Sequence, residues 1–274
     1  MSQPSDHDPA TVLIDTNIPA IRMIRLNRPA VMNALTRDMV ASINRELDNA
    51  AADASCRVVI ITGVGRGFCS GQDMAAANLR NKTGSTGVVE KMYWQEQFSG
   101  MAARIRALPQ PVIAAVNGAA VGAGMGIALA ADIRIISTTA KFLVGSVKIG
   151  LSAGETGISY HLPRWVGAGR AFEILLTGRA IEAAEALQLG LATKMVENDQ
   201  LEAASIAQAH AIMANSPFSV RQTKNLMWAS LDAKGLDDVI ALENRTQILA
   251  TMTEDYKEAT AAFIAKRPPE FKGV

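Results

Sequence analysis

Few residues in this 274-residue chain are of the kinds that carry obvious chemistry. There are two cysteines, Cys56 and Cys69, and three histidines. Two cysteines cannot staple a chain this long, which excludes a disulfide scaffold. His7, His161 and His210 stand far apart, and no pair has metal-ligand spacing, so no metal is expected. Charge of one sign is missing too: 27 Lys and Arg against 26 Asp and Glu leave a net of +1. Without a basic excess nothing draws the chain to phosphate backbones, and no nucleic-acid partner is expected. Aromatics make up 5% of the residues against 49% apolar in all. The core must therefore be built from small and aliphatic side chains, and it is large enough to exclude a disordered chain.

The first ten residues, MSQPSDHDPA, are acidic, carry Pro4 and Pro9, and have no apolar segment of the secretory kind. Residues 1–10 are expected to form a flexible leader. The absence of a signal and the few cysteines fit a cytoplasmic protein. The stretch from Pro111 to Ala131 is uncharged and long enough to resemble a membrane span, with a small-residue spacing from Gly118 to Gly122. It is mostly alanine and glycine, starts at a proline and contains Asn117. A buried strand, a glycine-rich turn and a buried helix are expected there, and no membrane association.

Hydrophobic patterning supports an α/β chain. AIRMIRL (20–26), RVVIIT (57–62), PVIAAV (111–116) and DIRII (132–136) read as strands, the middle two as buried apolar runs. Leu35, Met39, Ile43 and Leu47 recur every four residues and predict a helix with Thr36 as N-cap. Strands alternating with helices argue for an α/β unit. Beyond Val196 only helical patterns remain: 199–215, 216–231, 235–252 and 254–266, with Ser216-Pro217 as a good helix start. The expected division is an α/β core over 11–197 and a helical C-terminal region over 198–274.

Several motifs compete for the chemistry. Cys69 lies in a glycine loop, as a nucleophile or as a small buried thiol. GAGMG (122–126) has G-x-G-x-G spacing rather than the dinucleotide G-x-G-x-x-G. There is no G-x-S-x-G elbow. GFCSGQD and GAAVGAGMG are both strand-to-helix junctions built of small residues. Backbone N–H groups at a helix start are unpaired, and two of them aimed at one point would hold a carbonyl oxygen as it gains negative charge. Both runs could equally exist only to let helix pack closely on strand.

The chain resembles the enoyl-CoA hydratase/isomerase (crotonase) superfamily along nearly its whole length. The resemblance is carried by LNRPAVMNAL (26–35), VVIITGVGRGFCSGQDM (58–74), PVIAAVNGAAVGAGMGIALAADIRI (111–135), KIGLSAGETGISYHLPRWVG (148–167), LTGRAIEAAEALQLGLATKMV (176–196) and AAFIAKRPPEF (261–271), in that order. It implies an α/β fold, a crotonase (ClpP-like) spiral of ββα units, with a C-terminal helical trimerisation region. The implied assembly is a homotrimer or a dimer of trimers. The implied substrate is an acyl-CoA thioester, with CoA part of that substrate and no separate cofactor. The two oxyanion donors fall, by motif, on the backbone N–H groups of Gln72 and Ala123. The CoA nucleotide is implied to lie against Arg28, Ala30 and Met32 on one string and Ser70, Gln72, Asp73 and Met74 on another. Phe263 and Lys266 resemble residues that reach a neighbouring subunit's CoA.

One departure bears on the reaction. Hydratases of this superfamily use two glutamates to add water, and the matching positions here are Gly126 and Ser146. Glu155, in GLSAGETG, stands about where dienoyl-CoA isomerase-like members carry an acid, after a one-residue insertion. It is the expected proton carrier, or else the cap of the helix that follows. Asp73 is expected to hold its loop and Asp132 to pair with nearby arginines. Tyr93, Trp94 and Phe98 are candidates for the wall of an acyl pocket. The expected reaction is hydration or isomerisation of an enoyl-CoA. The alternatives are decarboxylation or hydrolysis of a CoA thioester, and acyl-CoA binding without catalysis.

Overall fold

A computed structural model describes residues 10–83 and 87–274. The leader expected over 1–10 lies, apart from Ala10, outside them. The chain runs β1 (Val12–Asp15), β2 (Ile21–Leu26), α1 (Arg37–Ala52), β3 (Val58–Gly63), β4 (Gly67–Cys69), α2 (Met74–Thr83), α3 (Val88–Ala107), β5 (Val112–Val116), β6 (Ala119–Val121), α4 (Ala123–Ala130), β7 (Ile133–Ser137) and β8 (Lys141–Leu143). It continues through α5 (Ile158–Val166), α6 (Ala168–Thr177), β9 (Ala180–Glu182), α7 (Ala183–Gln188) and β10 (Lys194–Val196) to α8 (Leu201–Met213), α9 (Pro217–Asp232), α10 (Leu236–Thr251) and α11 (Glu254–Ile264).

From β3 to β8 the strands alternate between two sheets. The larger has the order β1-β2-β3-β5-β7-β10 and the smaller β4-β6-β8-β9. All pairings are parallel except β1 with β2 and β8 with β9. Each successive pair, β3 with β4, β5 with β6 and β7 with β8, adds one strand to each sheet. This is the spiral of ββα units that the resemblance implies.

The apolar runs follow from coverage on both faces. On β3, Val59 and Ile61 face α1 and the main core, while Val58 and Ile60 join a second cluster with Leu201 and Ala209 of α8. A strand buried on both sides has no polar face to show. The helix read from Leu35 to Leu47 forms as α1, with Thr36 Oγ1 accepting from Met39 N at 3.3 Å. The uncharged stretch after Pro111 divides into β5, β6 and the eight-residue α4, every residue of which is buried. Among the described residues no helix is long and apolar enough to cross a membrane.

Asp132 ties the C-terminal helices to this core. Its carboxylate accepts from Val112 N at 2.7 Å and from Trp228 Nε1 of α9 at 2.7 Å, and pairs with Lys224 Nζ at 2.9 Å. Lys224 is 8% exposed, and burial holds its ammonium below the usual lysine range. Three donors on one carboxylate assign Asp132 to structure rather than to proton transfer.

Candidate active site

Two glycine junctions meet at one place. Gly71, between β4 and α2, has φ +83°, and a Cβ there would lie 2.8 Å from the Val121 carbonyl and 3.6 Å from Ala123 N. The residue after Gly71 is Gln72, and Ala123 opens α4. The loop carrying Gln72 is fixed on its other side by Leu35, whose N–H donates to Gly71 O and whose carbonyl accepts from Asp73 N. Neither the Gln72 N–H nor the Ala123 N–H has an acceptor among the described residues. Two free amides thus stand across a glycine contact, one of them at a helix N-terminus where the dipole favours negative charge.

The opposite end of α4 is also occupied. Arg134 is buried, donates to the Ala131 carbonyl at 2.6 Å and to the Ala128 and Leu129 carbonyls at 3.5 Å, and stacks on Trp165 at 4.4 Å. Burial lowers its pKa to about 10. A cation on the C-terminal carbonyls and an open N-terminus complement the same helix dipole.

Glycines also serve packing here. A Cβ on Gly124 would lie 2.2 Å from the Cys69 carbonyl, so α4 rests directly on β4. Cys69 is fully buried, and desolvation pushes its thiol up to about 12. A thiol of that kind is no nucleophile near neutral pH, which leaves the small buried thiol.

Gly126 and Ser146, which the resemblance matches to hydratase glutamates, have different surroundings. A Cβ on Gly126 would meet the Thr156 carbonyl at 2.5 Å and Thr156 Cβ at 2.7 Å. Ser146 opens a 3-10 turn, Ser146–Ile149, and its hydroxyl donates to Glu155 Oε1 at 2.5 Å. Glu155 and Thr156 belong to the loop that follows that turn. Positive φ at Gly150, Thr156 and Gly157 bends this loop back over α4. The Glu155 carboxylate thereby lies against Gly122: a Cβ there would be 3.2 Å from Oε1 and 3.7 Å from Oε2. Gly122 immediately precedes the Ala123 amide. The alternative role, capping α5, is not what forms. The N-cap is Gly157, with no side-chain cap bond, and Glu155 contributes only its carbonyl, to Ile158 N.

A cavity of about 410 Å³ opens beside Gln72. Leu35, Trp94 and Phe98 line it, as does Leu151 from the loop that carries Glu155. Trp94 is held by Arg37, whose guanidinium stacks on its ring at 4.1 Å while pairing with Glu90 at 2.9 Å. Of the three aromatic residues expected to wall a pocket, Trp94 and Phe98 line this cavity. Tyr93 does not: it is 53% exposed and stacks edge-on against Trp94. Neighbouring positions on α3 cannot share one face, which is why the aromatic cluster splits.

The two strings expected against the CoA nucleotide lie side by side. Ser70 N donates to Met32 O at 2.9 Å and Ser70 Oγ to Val31 O at 3.1 Å. Buried Asn33 ties the first string down, with its side-chain amide on Gly67 O at 2.8 Å. The turn uses left-handed backbone at Met32 and Asn33. Ala30 and Met74 are exposed on this surface. The Arg28 guanidinium turns inward, to Asp73 at 2.8 Å and to the Ala34 carbonyl. Asp73 in turn caps α2 through Ala76 N at 3.0 Å, and these bonds hold its carboxyl below the usual range. This pair builds the loop and leaves little charge for a phosphate. Phe263 is 85% exposed at the end of α11, and neither it nor Lys266 lines the cavity within one chain. Among the described residues no group of three or more His, Cys, Asp and Glu side chains could hold a metal.

The feature sequence reasoning missed is the link between Ser146 and Glu155. Ser146 reads there only as a vacated glutamate position.

The family model of enoyl-CoA hydratase/isomerase matches residues 17–274. A probable enoyl-CoA hydratase of Mycobacterium leprae is 41% identical over 94% of this chain and 88% of its own length. The 1,2-epoxyphenylacetyl-CoA isomerase of Escherichia coli is 34% identical over 92% of this chain and 95% of its own. The crystal structure of a probable enoyl-CoA hydratase/isomerase from Mycobacterium abscessus superposes with a TM-score of 0.88 at 37% identity, covering 96% of this chain and 99% of that one.

Proposed function

Because the chain belongs to the enoyl-CoA hydratase/isomerase family, we propose that it acts on an enoyl-CoA thioester as a double-bond isomerase with one working carboxylate. The Gln72 and Ala123 amides hold the thioester oxygen. Glu155 takes a proton from the α carbon of a β,γ-unsaturated acyl group, and the electron pair of that C–H bond moves toward the thioester oxygen. The resulting dienolate is reprotonated at the γ carbon by the same carboxyl group, which leaves an α,β double bond. No water is consumed.

The observation that carries this reading is the position of Thr156 over Gly126, together with Ser146 at the second glutamate position. Adding water needs one group to activate it and another to deliver a proton. Moving a double bond needs one base that gives back what it takes. Trp94, Phe98 and Leu35 would hold the acyl chain, and the surface of Ala30, Met32, Ser70 and Met74 the CoA. Leu236, Ile248, Leu249 and Met252, exposed on or just beyond α10, support assembly through the C-terminal helices. That assembly is proposed as a trimer or a dimer of trimers, with Phe263 and Lys266 toward a neighbour's CoA.

The test is a matched pair of 3-enoyl-CoA and 2-enoyl-CoA substrates followed by chromatography. The expected result is 2-enoyl-CoA from the first, faster than any hydration of the second. Glu155→Gln should lose about 10² to 10⁴ of that rate. A 3-hydroxyacyl-CoA as main product, or a Glu155→Gln rate within a few-fold of the parent, overturns the reading. Thermal stabilisation by acyl-CoA with no product would instead mark a binding subunit.

A further inference from the structure

The two carboxylate oxygens of Glu155 are not equivalent. Oε1 accepts from the Ser146 hydroxyl at 2.5 Å and is the one nearer the Gly122 site. Oε2 has no hydrogen-bond partner among the described residues, and it is not one of the polar atoms sealed from solvent. Ser146 is itself well anchored. Its carbonyl accepts from Leu151 N at 2.9 Å, closing the turn from which the Glu155 loop departs, and Leu143, three residues earlier at the end of β8, accepts from Gly122 N at 2.9 Å. The hydroxyl, the glycine before the Ala123 amide and the loop are thus braced on one another.

From this arrangement we infer that Ser146 is a positioning residue for the reaction. Its hydroxyl fastens Glu155 through Oε1, sets the carboxylate beside the α4 N-terminus, and leaves Oε2 as the oxygen that moves the proton. The inference rests on Glu155 being the base, as proposed above. A rotating carboxylate would present either oxygen, in many orientations. A hydrogen bond from a hydroxyl that is itself held in a turn removes most of that freedom. A group held in reacting geometry contributes through orientation. Ser146 touches neither thioester nor acyl chain in this account, so its loss acts on turnover and leaves binding alone.

The experiment is a double-mutant cycle on the full-length enzyme with a 3-enoyl-CoA substrate. Ser146→Ala is expected to lower kcat by about 10- to 100-fold, the range set by losing a hydrogen bond to a charged group. KM should stay within two-fold, and Ser146→Thr should keep most of the parent rate. In a Glu155→Gln background, Ser146→Ala should change the residual rate by less than two-fold. A second readout is deuterium uptake at the α carbon of a saturated acyl-CoA in D₂O, which should fall with kcat.

Four results overturn the inference: a Ser146→Ala kcat within two-fold of the parent, a rise in KM that accounts for the loss, equal damage from threonine, or an undiminished effect of Ser146→Ala when Glu155 is already Gln. If Ser146→Ala melts more than about 8 °C lower, Ser146→Cys takes its place under the same criteria, keeping the volume with only a weak donor. Failure of the underlying reading looks different, because then Glu155→Gln alone would keep its rate.

Discussion

Thr156 occupies the space that a side chain at position 126 would need: a Cβ on Gly126 falls 2.5 Å from the Thr156 carbonyl oxygen and 2.8 Å from Thr156 Cγ2. A side chain at position 126 therefore cannot be added without moving Thr156. The loop that carries Glu155 and the glycine beneath it depend on each other, since Thr156 can sit over α4 only while position 126 has no side chain.

Gly126→Glu should accordingly gain no hydration. The new side chain must push Thr156 off α4 and take Glu155 from Gly122 with it. The expected result is a loss of isomerisation of at least about ten-fold and a loss of roughly 1–3 kcal/mol in stability, as for overpacked cores. Turnover of 2- and 3-enoyl-CoA with a melting curve checks both. Appearance of 3-hydroxyacyl-CoA would contradict the steric account.

His161 should make stability fall as the solution is acidified. It is 4% exposed, and its Nδ1 lies 2.9 Å from the Gly157 carbonyl, so Nδ1 carries the proton. Nε2 is buried without a hydrogen-bond partner among the described residues. Burial, the first cause, lowers the pKa to about 4, against about 6.5 for an unfolded histidine. Between those values the unfolded chain binds more protons than the folded one. The histidine's contribution is thus level above about pH 6.5 and turns unfavourable as pH drops toward 4, by on the order of 2 kcal/mol after allowing for screening. Melting curves at pH 7.5 and 5 should show a smaller acid loss in His161→Gln than in the parent. Equal losses would contradict it.

Asp132→Asn should injure the fold and spare the chemistry. The amide cannot replace the anion that Lys224 Nζ meets at 2.9 Å, and that ammonium is left buried. Breaking a buried pair from one side costs about 3–5 kcal/mol. The variant should unfold earlier in urea yet retain the kcat of the parent at 10 °C. A kcat loss without a stability loss would point to Asp132 as an acid or base.

Much of the spiral was legible because its large sheet is covered on both faces. Val58–Gly63 and Val112–Val116 carry apolar runs long enough to recognise. The small sheet was not legible. Gly67–Cys69, Ala119–Val121, Lys141–Leu143 and Ala180–Glu182 are three residues each, too short to show a period, and their pairing is decided by distant segments. At the site, it was the resemblance that pointed to the amides of Gln72 and Ala123, since the glycine junctions alone fit close packing equally well. The aim of Glu155 had no such pointer. It depends on left-handed backbone at Thr156, a non-glycine residue with φ +45° that no residue preference announces. The inward use of Arg28 was hidden for a similar reason, since Asp73 lies 45 residues away and reaches it only through the fold.

The amide pair across Gly71 has a consequence for how this protein would look to a mutational survey. Position 123 is already alanine, and Gln72→Ala removes a side chain while keeping the N–H. A scan by alanine substitution would pass over both positions, however strongly it registered Glu155 and Ser146. Replacing the two amides by esters through chemical synthesis or expanded translation is the perturbation to which such a centre responds, because it deletes the donor and leaves every side chain in place.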